Sequence, residues 1–249
     1  MKQKKQQIFL IGGGMSFNNK KDYLNYLENK VISYETLKKA LRYKNNKTWK
    51  ENLEKDLNIR DKTISHETQV KKSNVKYEVL NPTFPNKQNA DYKEWKTFFE
   101  SHLTILDPDT IFVGYSLGSA FLVKYFAKDY TNYVKKWNMK HSDNPSRGEG
   151  AAGGRGLVNK LILVGVPHSD EKDESMGSFK IDFSLKSIES VVSHETDLVF
   201  IYSKDDFVVP IAEMEKYKKE LNKATYVLLN DKGHFFDEHF TEILDIIRK

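Results

Sequence analysis

Residues 110 to 126 read TIFVGYSLGSAFLVKYF: a run of β-formers stops at a glycine, presents one serine, and restarts as an amphipathic helix. A hydroxyl is a weak nucleophile, so Ser116 can attack a carbonyl only if a base takes its proton and donors hold the oxyanion that forms. Its setting suits that chemistry. A strand that reverses into a helix within two or three residues crowds backbone against its neighbours, so Gly114 and Gly118 are small and Ser116 is raised on strained backbone with Oγ exposed. The start of the helix offers unsatisfied backbone N–H groups, and that of Leu117 is the natural first oxyanion donor. Taken alone, G-x-S-x-G also fits an ordinary Gly-rich turn, so the partners of the serine decide its meaning.

Seven histidines are candidate bases, at positions 66, 102, 141, 168, 194, 234 and 239. His234, in LLNDKGHFFDEH, follows the last predicted strand and precedes the last helix, the loop location a base above a sheet requires. The competing role is a surface histidine in a turn, since NDKG is turn-forming by itself. His66 and His141 lie in polar linkers, His102 inside a helix, and His194 ahead of a strand. His168 follows the strand ending near Val164, but as the base it leaves the chain order without a third partner. A carboxylate must fix the tautomer of the base and stabilise the imidazolium. LVFIYSKDDFVVP supplies Asp205 and Asp206 just past the fifth strand, and either could serve; helix capping ahead of Pro210 is the alternative. Three separate loop ends thus carry Ser, Asp and His in an order that marks one scaffold.

Six short apolar runs supply the strands that would position these loops: Ile8 to Ile11, Tyr77 to Leu80, Thr110 to Val113, Lys160 to Val164, Asp197 to Tyr202 and Thr225 to Leu229. They alternate little, which suits strands buried on both faces. Helical patterns run from Trp95 to Leu106, Ser119 to Lys136, Ile211 to Leu221 and Glu238 to Arg248. Strand and helix in succession imply an α/β fold, a mainly parallel sheet of about six strands flanked by helices.

Two regions exceed this scheme. Residues 18–74 are too long for one crossover and contain the helical stretches DYLNYLENK, SYETLKKALRYK and TWKENLEKDL, so a helical insertion after the first strand, over residues 18–48, is expected. Residues 141–156, HSDNPSRGEGAAGGRG, have almost nothing to bury and read as a flexible Gly-rich loop. The glycines there lack the Gly-Lys-Ser/Thr step of a phosphate cradle. At 249 residues the chain fits one domain, 1–249.

The bulk composition narrows the function classes. There are no cysteines, which removes disulfides, thiolate nucleophiles and zinc-thiolate sites, and no other metal or cofactor motif is present. A net charge of +5 raises nucleic-acid binding. The lysines are interleaved with Glu and Asp, as in AEMEKYKKELNKA, so they read as solvated helix faces and no nucleic-acid partner is expected. The N-terminal apolar run IFLI is too short for a signal core or a membrane span, so a soluble cytoplasmic protein is expected.

With these residues in place, the sequence resembles the α/β-hydrolase superfamily, and within it the compact serine hydrolases related to retinoblastoma-binding protein 9 and the bacterial YdeN-like proteins. The resemblance runs through IFLIGGG at residues 8–14, NPTFPN after the second strand, FVGYSLGSAFLVKYF, KLILVGVP, YSKDDFVVP and DKGHFF. It implies that the acid is the second aspartate of the pair, Asp206, with Asp205 as runner-up. It also implies that the loop GGGMSF donates the second oxyanion N–H, with Gly13 the best match. Glycine suits that role because backbone can approach a ligand without a Cβ in the way. The implied activity is hydrolysis of a small-molecule acyl substrate, an ester, thioester or activated amide, through an acyl-serine and without a cofactor. The rival expectation is a protein that keeps this fold without turnover, as a protein-interaction or small-molecule-binding module.

Overall fold

The structure, a computed structural model, describes residues 4–14, 48–59, 75–87, 89–107, 109–131, 133–134, 158–168, 174–181, 183–192 and 197–249. The expected helical insertion, apart from Thr48, and the Gly-rich loop over 141–156 lie outside these residues.

In chain order the elements are β1 (Lys4–Ile11), α1 (Trp49–Asn58), β2 (Val75–Leu80), α2 (Tyr92–His102), β3 (Ile111–Tyr115), α3 (Leu117–Lys128), β4 (Lys160–Val164), β5 (Leu198–Ser203), α4 (Ile211–Glu220), β6 (Thr225–Leu229) and α5 (Thr241–Arg248). The six strands form one sheet in the order β2-β1-β3-β4-β5-β6, with every neighbouring pair parallel. Alternate residues of the central strands serve opposite faces, because side chains flip sides at each step along a strand. Phe9, Ile11, Phe112, Leu161, Leu163 and Phe200 pack with residues of α2, α3 and α4, including Trp95, Phe99, Phe121 and Tyr217. Ile8, Leu10, Ile111, Val113, Ile162 and Ile201 pack on the other side with Trp49, Leu53 and Leu57 of α1 and Ile243 and Ile247 of α5. Helices on both faces explain why these strands read as continuous apolar runs.

Several boundaries differ from the sequence reading. β1 begins at Lys4, four residues before the apolar run. Its polar half is held by pairing with β2 and by side chains: Gln7 Oε1 accepts hydrogen bonds from Asp107 N–H and Thr110 Oγ, both at 2.8 Å. α2 begins at Tyr92 because Asp91 caps it, its carboxylate accepting from the N–H groups of Lys93 and Glu94 at 2.9 and 3.1 Å. α3 starts directly after the serine and runs to Lys128; after a bend at Asp129 the described residues 130, 131, 133 and 134 are helical again, so the expected helical stretch is interrupted there rather than ended. At the bend Asp129 accepts hydrogen bonds from Tyr92 Oη at 2.5 Å and Lys96 Nζ at 2.6 Å, both from α2. α5 starts at Thr241 rather than Glu238. The segments Glu174–Phe179 and Leu185–Ser190 form 3₁₀ turns that carry Phe179, Leu185 and Ile188 into the core beside α3. No helix among the described residues is long and apolar enough to cross a membrane.

Candidate active site

The strand order reverses at β1, which is followed in sequence by β2 on one side and then by β3 on the other. Crossovers that diverge in this way leave a crevice outside the carboxyl ends of the two strands. The ends are level, since Ile11 registers with Gly114. Gly12–Gly14 leaves β1 and Ser116 leaves β3 at that crevice.

Ser116 has φ 54° and ψ −122°, a conformation that costs a non-glycine residue on the order of 1–3 kcal/mol and persists only where surroundings enforce it. The surroundings are visible. Its N–H donates to Val164 O at 2.8 Å, and its own carbonyl accepts from Ser119 N–H and Ala120 N–H at 2.9 and 3.2 Å, starting α3 at once. A Cβ on Gly114 would lie 2.6 Å from Ser119 Cα, and one on Gly118 would strike the Ile11 carbonyl oxygen. Both glycines therefore let α3 turn back tightly over β1 and β3.

The imidazole of His234 reaches this serine from the loop after β6. Nε2 lies 3.0 Å from Ser116 Oγ, and Nδ1 lies 2.8 Å from Asp206 Oδ2. Asp206 and His234 are both buried. The other oxygen of Asp206 accepts hydrogen bonds from Val208 N–H and Val209 N–H at 2.8 Å each, which fixes the carboxylate plane. The structure thus brings together the three residues that the sequence placed at separate loop ends. Asp205 is turned away from the imidazole. Its Oδ1 accepts from Ser203 Oγ at 2.6 Å and from Gly233 N–H at 2.8 Å, tying the loop after β5 to the loop after β6.

Gly13 abuts the serine: a Cβ there would lie 3.0 Å from Ser116 Cβ, whereas one on Gly14 would meet Lys87 O at 2.7 Å. Leu117 is the first residue of α3, so its N–H precedes any carbonyl that could accept it within the helix. Near the same loop, burial and the neighbouring Lys50 charge push the Lys87 ammonium below the ordinary lysine value, against an opposing pull from Glu51.

Two contributors escaped the sequence reading. Gly165, directly after β4, has φ 53°, and a Cβ there would lie 3.4 Å from His234 Cε1 and 3.5 Å from Asp206 Oδ2. Its signal was a glycine immediately following the buried run KLILV. Tyr115 donates from its hydroxyl to His234 O at 2.7 Å, a contact between distant residues that no local pattern announces. Among the other histidines, His168 packs on Tyr217 with ring centroids 4.8 Å apart, and His239 Nδ1 lies 2.8 Å from Asp56 Oδ2. His66, His141 and His194 lie outside the described residues. Among the described residues, no group of three or more His, Cys, Asp or Glu side chains could hold a metal ion.

No protein-family model matches the sequence, and no curated protein matches it. Among solved structures, that of the ydeN gene product from B. subtilis is similar with a TM-score of 0.59 over 98% of this chain and 97% of that one, at 16% identity. The chain has the α/β-hydrolase fold. Other similar structures include esterase PE8, with a TM-score of 0.48 and 12% identity over 98% of this chain and 92% of that one. A thioesterase domain from the curacin biosynthetic pathway has a TM-score of 0.48 and 9% identity over 98% and 91% of the two chains.

Proposed function

We propose that this protein is a serine hydrolase that cleaves a carboxylic ester, or a related thioester or activated amide, through an acyl-serine intermediate. The observation that carries the reading is the unbroken hydrogen-bonded chain from Ser116 Oγ through His234 to Asp206, at 3.0 and 2.8 Å. Such a chain, on an elbow whose serine holds a strained positive φ, has the geometry general-base activation of an alcohol requires.

In this mechanism the Nδ1–H of His234 donates to Asp206, leaving Nε2 as the proton acceptor. Nε2 takes the Ser116 proton as Oγ attacks the substrate carbonyl. The N–H groups of Leu117 and Gly13 receive the oxyanion. Collapse of the tetrahedral intermediate breaks the bond to the leaving oxygen, sulfur or nitrogen, which takes the proton from Nε2. Water then attacks the acyl-serine, gives one proton to Nε2 and releases the acid, and the proton returns to Ser116 Oγ. The chemistry calls on no metal or organic cofactor.

Turnover of a short-chain aryl ester tests the proposal. Wild-type protein is expected to release the phenol catalytically and Ser116→Ala to lose that turnover. Equal rates for the two proteins would remove this site from consideration.

A further inference from the structure

The sheet order gives the site two unlike flanks. β3, which carries Ser116, has β1 and β2 on one side and β4, β5 and β6 on the other. Asp206 and His234 come from the β5 and β6 side. There the ring of Phe236 lies 5.6 Å from the imidazole and Phe207 lies 6.0 Å from Phe236, an apolar border.

The opposite flank is cationic. Lys87 lies in the connection between β2 and α2, and its backbone carbonyl packs against Gly14. Its side chain reaches back along the glycine loop, so that a Cβ on Gly12 would lie 3.7 Å from Lys87 Nζ and 4.0 Å from Lys50 Cδ. Lys50, in the first turn of α1, holds its own Nζ 4.5 Å from the centroid of the Tyr115 ring. Two lysines from separate elements therefore converge on the loop that leads into Gly13. Lys87 is half-buried and has no ion pair among the described residues. The nearby carboxylate of Glu51 is engaged by the N–H and hydroxyl of Thr48, at 2.8 and 2.5 Å. Lys87 thus sets a partly desolvated ammonium beside the glycine loop, and a bound anion would offset its charge.

The mechanism proposed above places the leaving group. His234 Nε2 hands its proton to the leaving oxygen, so the alcohol portion departs on the imidazole side, along Phe236. An acyl portion laid on the other side, along the loop that leads into Gly13, would meet Lys87. Following the chain from Lys87 Nζ through Gly12 and Gly13, the ammonium is no farther than roughly 13 Å from the Ser116 side chain, within the span of a short acyl chain. Resting on that hydrolase reading, we propose that Lys87 binds a carboxylate at the far end of the acyl chain, so that the substrates are half-esters of short dicarboxylic acids. Hydrolysis then breaks the acyl–oxygen bond at Ser116 and releases the alcohol and the free dicarboxylate.

Paired kinetics test this with para-nitrophenyl hemiglutarate and para-nitrophenyl pentanoate, which differ in the terminal carboxylate. Wild-type protein at low salt is expected to favour the hemiglutarate by about tenfold or more in kcat/KM, and the preference is expected to shrink as salt screens the lysines. Lys87→Met is expected to lower that ratio by about tenfold, chiefly through KM for the anionic ester, while Lys87→Arg keeps most of it. A wild-type preference for the neutral ester, or a ratio unchanged in Lys87→Met, overturns the proposal. If neither ester is turned over, the hydrolase reading fails, and calorimetry with monomethyl glutarate still decides the anion subsite. Binding to Ser116→Ala that weakens about tenfold on adding Lys87→Met supports it, and equal or absent binding overturns it.

Discussion

Tyr115 bonds through its hydroxyl to the backbone carbonyl of His234, at 2.7 Å, so the residue before the serine also anchors the loop that carries the imidazole. That loop needs anchoring. His234 sits between Gly233 at φ 51° and Phe235 at φ 55°, and a bulky residue in this region is a strained one. The phenol ring of Tyr115 also lies 5.2 Å from the imidazole.

Tyr115→Phe is therefore expected to leave a buried carbonyl without its donor, at a cost of about 1–3 kcal/mol in stability. Urea unfolding reads that loss. Because the serine, base and acid all remain, kcat is expected to fall several-fold with KM little changed, the pattern of a positioning residue. An unchanged unfolding midpoint together with an unchanged kcat would show that the hydrogen bond anchors nothing.

The two adjacent aspartates are expected to respond differently. Asp206→Asn should preserve the fold yet lower ester turnover by about 10⁴ if the best-studied triad is a guide, since the amide no longer holds the required tautomer. Asp205→Ala removes a link between two loops, made through Ser203 Oγ and Gly233 N–H. It should cost about 1–2 kcal/mol of stability and a much smaller share of the rate. Kinetics and denaturant melts of both variants give the ranking, and the reverse order would make Asp205 the acid.

Acid stability has a local component at the start of α1. Burial works to raise the Glu51 carboxyl, but the hydrogen bonds from the Thr48 hydroxyl and N–H outweigh it and hold the group below the ordinary glutamate value. A depressed carboxylate contributes stability that is full above its unfolded-state pKa and is lost as pH falls through the folded-state one. Thr48→Ala is expected to cost about 1 kcal/mol at pH 7. The gap from wild type should narrow in melts recorded below the ordinary glutamate range, and a gap that widens on acidification would contradict this account.

Much of the architecture was legible because buried parallel strands leave a direct trace in sequence. KLILV and TYVLL are β4 and β6 residue for residue. The polar start of β1 left no such trace, since Lys4 to Gln7 are held by a neighbouring strand and by a loop a hundred residues away. The bend at Asp129 was hidden for a similar reason: the apolar pattern runs on past Lys128, and Asp129 is bonded by Tyr92 and Lys96 of another helix. At the candidate site, the glycine spacing around Ser116 and the loop positions of Asp206 and His234 could be read locally. The strand order that brings these loops to one crevice could not, nor could the supporting contacts of Tyr115 and Gly165, which exist only once the sheet is assembled.

Covalent labelling with a fluorophosphonate, followed by mapping of the modified peptide, tests the central claim most directly, because the probe reacts only with a serine that a base has activated. The account predicts one phosphonylated residue, Ser116, with labelling suppressed in both Ser116→Ala and His234→Ala. Absence of labelling in folded wild-type protein, or labelling of Ser116 that persists at the same rate in His234→Ala, would contradict it.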